Sequence, residues 1–236
     1  MIAVNTAIVL HSFPFKDNSR IVKVLCESDK IIPIFVNNFS KGKNKKSSIY
    51  YPGNLIEIEW FDNQKGGVYT AKNQAIINSF HNLHLDFYKT AILTFALECI
   101  YKYVKEHQDI NGLFEYTKGF LDLMDSSEEY VANLAMMFLV DLSSFLGIKP
   151  KQGEGWFNIR DGEFQKVKHH LYSLDNSSSQ VLAQFLVEDK SKTYTLTLPG
   201  NQRKKLIEDY LRFMDYHIDQ NQQILSLDIL STVLSE

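Results

Sequence analysis

Two cysteines in 236 residues leave little for sulfur chemistry. Cys26 lies in an apolar strand-like run and Cys99 in an apolar helical one, the setting of buried free thiols, and two isolated cysteines cannot build a four-cysteine zinc site. The eleven glycines form neither a GxGxxG nor a GxxxxGK[ST] phosphate loop, and no G-x-S-x-G elbow is present. No uncharged apolar run reaches the roughly 18 residues that a membrane span needs. No apolar leader follows Met1, because Asn5, His11 and Lys16 interrupt the early sequence, so a soluble, cytoplasmic protein is expected.

Catalytic signals are equally sparse. The seven histidines are scattered; His81 and His84 are three apart but lack further ligands, and the adjacent His169 and His170 would point to different sides of a helix. Carboxylate pairs such as Glu128-Glu129, Glu188-Asp189 and Glu208-Asp209 fall at helix starts or on polar faces, where solvation explains them. An enzyme is not expected, and neither a metal nor a cofactor.

What the chain does have is material for a core, 44% apolar and 13% aromatic residues, and a marked charge asymmetry. Residues 1–78 carry ten Lys/Arg against six Asp/Glu, a net of +4, whereas the remainder carries fifteen against twenty-two, a net of −7. The positive charge is concentrated in Ser40-Lys41-Gly42-Lys43-Asn44-Lys45-Lys46-Ser47-Ser48, with no acid between Asp29 and Glu57. Lysines without local partners stay solvated unless a polyanion arrives, and phosphate backbone is the usual polyanion.

Around that loop the pattern is β. Val4–Leu10, Ile21–Leu25, Ile31–Val36, Leu55–Phe61 and Val68–Ile77 are β-rich runs; Glu27-Ser28-Asp29 turns the second into the third, and Pro33 puts the third at an edge or bulge. Five short strands without a long helix predict a closed barrel of the OB type over residues 1–80. From Leu83 the apolar period becomes helical. Helices are expected to about Tyr103, over Leu113–Met124, from Ser126-Ser127-Glu128-Glu129 to Leu146, near Lys166, near Gln180, over Asn201–Asp219 and over Ile224–Leu234. A short loop or hairpin around Trp156-Phe157 interrupts them near 150–164. The fold class is therefore α+β, an N-terminal barrel and a helical domain over 81–236.

Candidate binding residues follow from the barrel's charge. Arg20 and Lys23 share the second strand, Lys41, Lys43, Lys45 and Lys46 supply the loop, and Phe13, Phe15, Phe39, Tyr50 and Tyr51 stand nearby in sequence. Cations take phosphates while rings stack bases, at about 1–3 kcal/mol each. Some of the rings must fill the barrel, and Phe39 and Tyr51 are the favoured platforms. Arg203-Lys204-Lys205, at the start of a helix where the dipole disfavours cations, is either a second anion site or a solvated helix end.

The stretch Ala7–Phe15 followed by Asp17–Val22, the loop Phe39–Ser47, the run Tyr51–Ile58 and the segment Leu146-Gly147-Ile148-Lys149-Pro150 together resemble, in order and spacing, the RecO family of recombinational repair mediators. The resemblance implies an N-terminal OB-fold and a helical C-terminal domain. It also implies a non-enzymatic role: binding single- and double-stranded DNA, annealing strands, partnering RecR, and helping RecA displace single-strand binding protein (SSB). Carried over by position, Arg20, Lys23, Lys41, Lys43, Lys45 and Lys46 would contact DNA.

Three departures stand out. The four-cysteine zinc module of many members has no counterpart, since Lys151–Phe164 contains no cysteine and a Trp156/Phe157 hairpin is expected to plug its place. Where arginines associated with the acidic SSB tail are common, this chain reads Ala135-Met136-Met137-Phe138, a core stripe or an apolar pocket. Near the C-terminus Leu225-Ser226-Leu227-Asp228 places an acid where the family has a base. Both weaken the case for SSB-tail capture at the usual place. The competing readings are an OB-type protein-interaction module without a DNA role and, more remotely, a histidine-based metal-dependent hydrolase.

Overall fold

The computed structural model describes residues 2–16, 18–37, 39, 46–61, 67–127, 131–189, 191–218 and 223–234. Five strands, β1 (Ile2–Pro14), β2 (Arg20–Cys26), β3 (Ile31–Val36), β4 (Leu55–Phe61) and β5 (Tyr69–Asn78), close into a barrel in the order β1-β2-β3-β5-β4. The long β1 makes this possible. Its second half pairs antiparallel with β2, from Ala7–Cys26 to Pro14–Arg20, and its first half with β4, from Ile2–Phe61 to Ile8–Leu55. Closure comes from a short parallel contact, Ile34 with Tyr69 and Phe35 with Thr70. β3 is thus neither an edge strand nor bulged, contrary to expectation: Pro33 stays in register with Lys23, and it is tolerated because β5 pairs only with Ile34 and Phe35, leaving few ladder bonds to lose on that side.

Alternation drives the barrel's core. Val22, Val24 and Cys26 on β2, Ile32, Ile34 and Val36 on β3, and Ile56, Ile58 and Trp60 on β4 point inward with period two, joined by Ala7 and Val9. Phe39 and Tyr50, which flank the lysine-rich stretch, complete the same cluster.

Helices follow: α1 (His81–Leu85), α2 (Phe87–Tyr103), α3 (Leu113–Ser126) and α4 (Leu134–Phe145). A two-stranded hairpin comes next, β6 (Trp156–Asn158) and β7 (Glu163–Gln165), then α5 (Asn176–Phe185), α6 (Ser191–Tyr194), α7 (Gly200–Ile218) and α8 (Ser226–Leu234). The α+β class, with its OB-like barrel followed by helices, stands. The chain divides into two compact units, one of residues 1–86 and 97–126, the other of 87–96 and 127–236. In the first unit α3 packs against β1. In the second, α7 packs against α4, α5 and α8.

Two expected helix starts are displaced. The helix expected from Ser126 begins at Leu134, after a turn of 3₁₀ helix over Val131–Asn133; Glu128 and Glu129 lie outside the described residues. Ser126 instead ends α3, its hydroxyl donating back to the carbonyl of Asp122 at 2.8 Å, a bond a serine makes within a helix rather than as an N-cap. No helix forms near Lys166. Residues 166–171 are all exposed and offer no apolar stripe to bury, so His169 and His170 lie in a turn. The helix expected near Gln180 starts at Asn176, where the Asp175 carboxylate accepts the Ser178 N–H at 2.7 Å.

The hairpin pairs Trp156 with Gln165, Phe157 with Phe164 and Asn158 with Glu163. Phe157, fully buried, meets Phe164 at 5.2 Å and Phe213 at 5.5 Å between ring centroids. Asn158 donates to Asp161 at 2.8 Å and to Gln165 at 3.1 Å, and Gln165 donates to Asp161 at 2.7 Å. Aromatic packing and an amide network hold this element together.

Candidate nucleic-acid interface

Arg20 opens β2 opposite Pro14. Its Nε donates to the Ser12 hydroxyl at 2.7 Å and its Nη2 to the Ser12 carbonyl at 2.6 Å, while its guanidinium lies 5.1 Å from the Phe39 ring centroid. Among the described residues no carboxylate pairs with it. Two hydrogen bonds and a ring therefore fix the orientation of an uncompensated positive charge, the pre-organised fork that suits a phosphate.

Phe39 supports that charge from below. Its ring is only 8% exposed and stacks on Tyr50 at 6.0 Å. A ring so covered has no open face for a base; the apolar demand of the barrel interior captured it. Tyr50 is buried too, donating to Gln74 at 3.3 Å, and burial pushes its phenol pKa upward.

Lys23 is placed differently. Its ammonium sits 3.0 Å from a Glu106 carboxylate oxygen and 5.6 Å from the ring centroids of both Phe13 and Tyr101. It already has a counter-ion, unlike Arg20 among the described residues. His11 packs beside it, 4.3 Å from Phe13 and 5.0 Å from Tyr101 between centroids. Burial holds the imidazole pKa below its usual value; Glu98 opposes this, while Arg20, Lys23 and Lys102 reinforce it. Burial, then Glu98, raises the Tyr101 phenol to about 12. His11, Tyr101 and Lys102 escaped the sequence reading because nothing in the linear pattern brings the end of α2 beside β1.

Of the lysine loop, Lys41, Lys43 and Lys45 lie outside the described residues, as does the side chain of Lys46, whose backbone opens a single 3₁₀ turn. The attachments of the loop are clear. Phe39 anchors one end in the barrel core and Tyr50 the other. Asn54, 2% exposed, donates to the carbonyls of Ser48 at 2.8 Å and Ile49 at 3.0 Å. The Gly53 N–H reaches the Val9 carbonyl at 2.8 Å, and the Val9 N–H reaches Asn54 at 2.9 Å.

On the barrel, Tyr51 and Phe15 are open to solvent. Tyr51 is 53% exposed and meets His84 edge-on at 4.8 Å. Among the described residues both nitrogens of His84 are buried without a hydrogen-bond partner, and burial lowers its pKa, with Asp125 opposing and His81 reinforcing. Phe15 is 52% exposed, packs against Phe35 at 5.7 Å and carries Lys16 at 5.9 Å from its centroid. Both rings therefore keep surface open to solvent.

The helical unit answers two open points. Arg203 donates to the Leu198 carbonyl at 3.1 Å and faces Asn133, Lys204 lies 3.8 Å from Glu208, and Lys205 pairs with Asp175 at 2.9 Å and Asp209 at 2.7 Å. The three cations at the start of α7 are thus satisfied internally. Met136 and Met137 are buried in α4, a core stripe rather than an open pocket lining, while Asp228 is exposed on α8.

Residues 1–80 match the family model described as Recombination protein O N terminal, and residues 84–154 that of Recombination protein O C terminal. The chain belongs to the RecO family. Three curated relatives, each called DNA repair protein RecO, are similar to it along nearly their whole length. The Flavobacterium psychrophilum protein is 26% identical over 97% of this chain and 98% of its own. That of Azobacteroides pseudotrichonymphae is 27% identical over 96% and 97%, and that of Phocaeicola vulgatus 25% identical over the full length of both. Among the described residues no helix is long and apolar enough to cross a membrane, and no three His, Cys, Asp or Glu side chains group to hold a metal.

Proposed function

We propose that this RecO-family chain is a non-enzymatic mediator of recombinational DNA repair that binds single- and double-stranded DNA through its barrel. In this reading it anneals complementary strands and, with RecR, promotes loading of RecA onto DNA held by SSB. The observation that carries the reading is Arg20, fixed by Ser12 and Phe39 without a counter-ion among the described residues, at the barrel end from which the lysine-rich stretch departs. Lys41, Lys43, Lys45 and Lys46 add charge, Tyr51 offers a ring, and Lys23 contributes little until its pairing with Glu106 is released.

Lysines present charge but little base-edge geometry, so binding is sequence-independent. Four to six phosphate contacts on single strands give a slope of log K against log salt of about −3 to −4. Fluorescence anisotropy of a labelled single strand at low and moderate salt, with the Lys41/Lys43/Lys45/Lys46→Ala variant alongside, tests the reading. Salt-sensitive binding that the variant weakens, with a shallower salt slope, supports it; no binding at low salt sinks it.

One observation favours the second reading, a protein-interaction module. The outer edge of β5 leaves Ile76 at 43% and Ile77 at 53% exposure. If DNA binding fails, pull-downs with RecR and SSB using Ile77→Glu separate the two.

A further inference from the structure

The helical unit carries a second concentration of cations and rings, beyond residue 154 where the family match ends. Lys166-Val167-Lys168-His169-His170-Leu171 is exposed throughout, and residues 164–174 contain no acid. Val167 is 78% and Leu171 75% exposed, an unusual display for apolar residues. A ladder of rings borders the segment: His169 and Tyr172 are 5.2 Å apart, Tyr172 and Tyr216 6.4 Å, and Tyr216 is 51% exposed. The Arg160 guanidinium lies 5.6 Å over the Tyr172 ring and has no carboxylate partner among the described residues.

The backbone holds these parts together. Ile159 donates to the Tyr172 carbonyl at 2.9 Å, His169 donates to the Ser173 hydroxyl at 2.8 Å, and Asn158 bridges to Ser173. The acids that flank these residues in sequence are Asp161, Glu163, Asp175 and, beside Tyr216, the half-buried Asp215. Asp161 accepts from Asn158 and Gln165, Asp175 pairs with Lys205, and Glu163 is exposed on β7.

We propose that Arg160, Lys166, Lys168, Tyr172 and Tyr216 form a second polynucleotide-binding surface, so that one chain can hold two strands. Cations followed by rings on an exposed segment suit a single strand: the cations take phosphates, the rings take bases, and Val167 and Leu171 pack against sugars. An acidic peptide would need the charge but not a ladder of rings. The proposal rests on the DNA-mediator reading and deepens it, because annealing requires two polynucleotides on one protein and the barrel surface accounts for one.

The test uses the full chain and two unrelated short single strands carrying different dyes, with co-occupancy of single protein molecules and the annealing rate of complementary strands as readouts. The variants are Arg160→Ala/Lys166→Ala/Lys168→Ala, the four-lysine loop variant, and Tyr216→Ala, in which the charge is kept. Wild type carries both dyes. The triple variant carries one and anneals at least tenfold more slowly, while still binding a strand through the barrel. The loop variant retains one strand, with a salt slope of about −2 from three contacts. Tyr216→Ala weakens the second strand severalfold without changing that slope.

Undiminished co-occupancy and annealing in the triple variant overturn the second surface while leaving the barrel reading intact. Poly-L-glutamate binding here as tightly as the strand also overturns it, marking a dock for acidic protein segments. Failure of wild type to bind any strand overturns both readings at once.

Discussion

The carboxylate of Asp29, in the turn between β2 and β3, accepts the N–H of Phe114 at 2.8 Å; its other oxygen accepts that of Gly112, also at 2.8 Å. A side chain in a hairpin turn thereby caps a helix more than eighty residues later in the chain, satisfying amides that α3 itself cannot. Asp29 does this from a left-handed conformation, φ 60°, which aspartate tolerates better than most residues.

Asp29→Ala removes the cap and places a Cβ-bearing residue without local polar compensation at positive φ. The expected cost is about 2 kcal/mol, the sum of a lost cap and part of the left-handed penalty. Asp29→Asn keeps one acceptor and tolerance of the conformation, and costs about half as much. Chemical denaturation of the three proteins checks the order; equal stability of Asp29→Ala and wild type would remove the cap from the account.

Arg20 and Lys23 stand three residues apart on one strand but differ in their freedom to meet phosphate. Arg20→Ala is expected to weaken single-strand binding and reduce the salt slope by about 0.7, the share of one phosphate contact. Arg20→Lys keeps the slope and still weakens binding, because an ammonium cannot reproduce the fork fixed on Ser12. Titrations at three salt concentrations separate loss of charge from loss of geometry.

For Lys23 the informative change is in its partner. Glu106→Gln removes the counter-ion and is expected to strengthen DNA binding and steepen the slope by up to about 0.7. Lys23→Ala alone costs less affinity than Arg20→Ala, and Lys23→Ala in the Glu106→Gln background abolishes the gain. The pair is partly exposed, 22% at Lys23 and 39% at Glu106, so its own contribution to stability is about 0–1 kcal/mol. The same anisotropy titration, run as a double-mutant cycle, measures the coupling.

The strands were legible in the sequence because a barrel wall imposes period two, and Val22-Val24-Cys26, Ile32-Ile34-Val36 and Ile56-Ile58-Trp60 obey it. Leu113–Met124 was legible because its apolar residues recur at helical spacing. What could not be read were relations set by the fold alone: Asp29 reaching Gly112, Glu106 neutralising Lys23, and Tyr101 covering His11. Aromatic type also misled at Phe39, since a ring beside cations in sequence serves equally as a base platform or as core. Burial decides between them, and burial is a property of the closed barrel.

His11 and His84 both titrate below the usual imidazole range, in each case first because of burial. A folded pKa below the unfolded value means that the unfolded chain takes up the proton more readily. The stabilisation is therefore complete above about pH 6.5 and is lost as pH falls toward the folded values. Around His84 the facing groups are Asp125, His81 and Tyr51. Melting temperature is expected to fall between pH 7.5 and 5, with His84→Phe and His11→Phe each flattening the decline. An unchanged profile in the double variant would locate the sensitivity elsewhere.

Two glycines give opposite forecasts from the same substitution. Gly119 lies on the exposed face of α3, and a Cβ there meets nothing within 4 Å. Gly119→Ala replaces a poor helix former with the best, and is expected to stabilise the protein by about 1 kcal/mol. Gly155, at the entrance to the β6–β7 hairpin, has φ 101°, and a Cβ there would collide with the carbonyl oxygen of Gln165. That atom belongs to the paired strand, since Trp156 faces Gln165 in the register, so relief requires separating the hairpin. Gly155→Ala is therefore expected to cost about 2–3 kcal/mol, through a backbone conformation and an overpacked contact that cannot both relax. Because Gly155 lies in the unit that carries Arg160 and Tyr172, the variant should lose the second strand along with hairpin stability while keeping the barrel-bound strand. Hydrogen exchange at Phe157 and Phe164, measured beside strand co-occupancy, links the two losses.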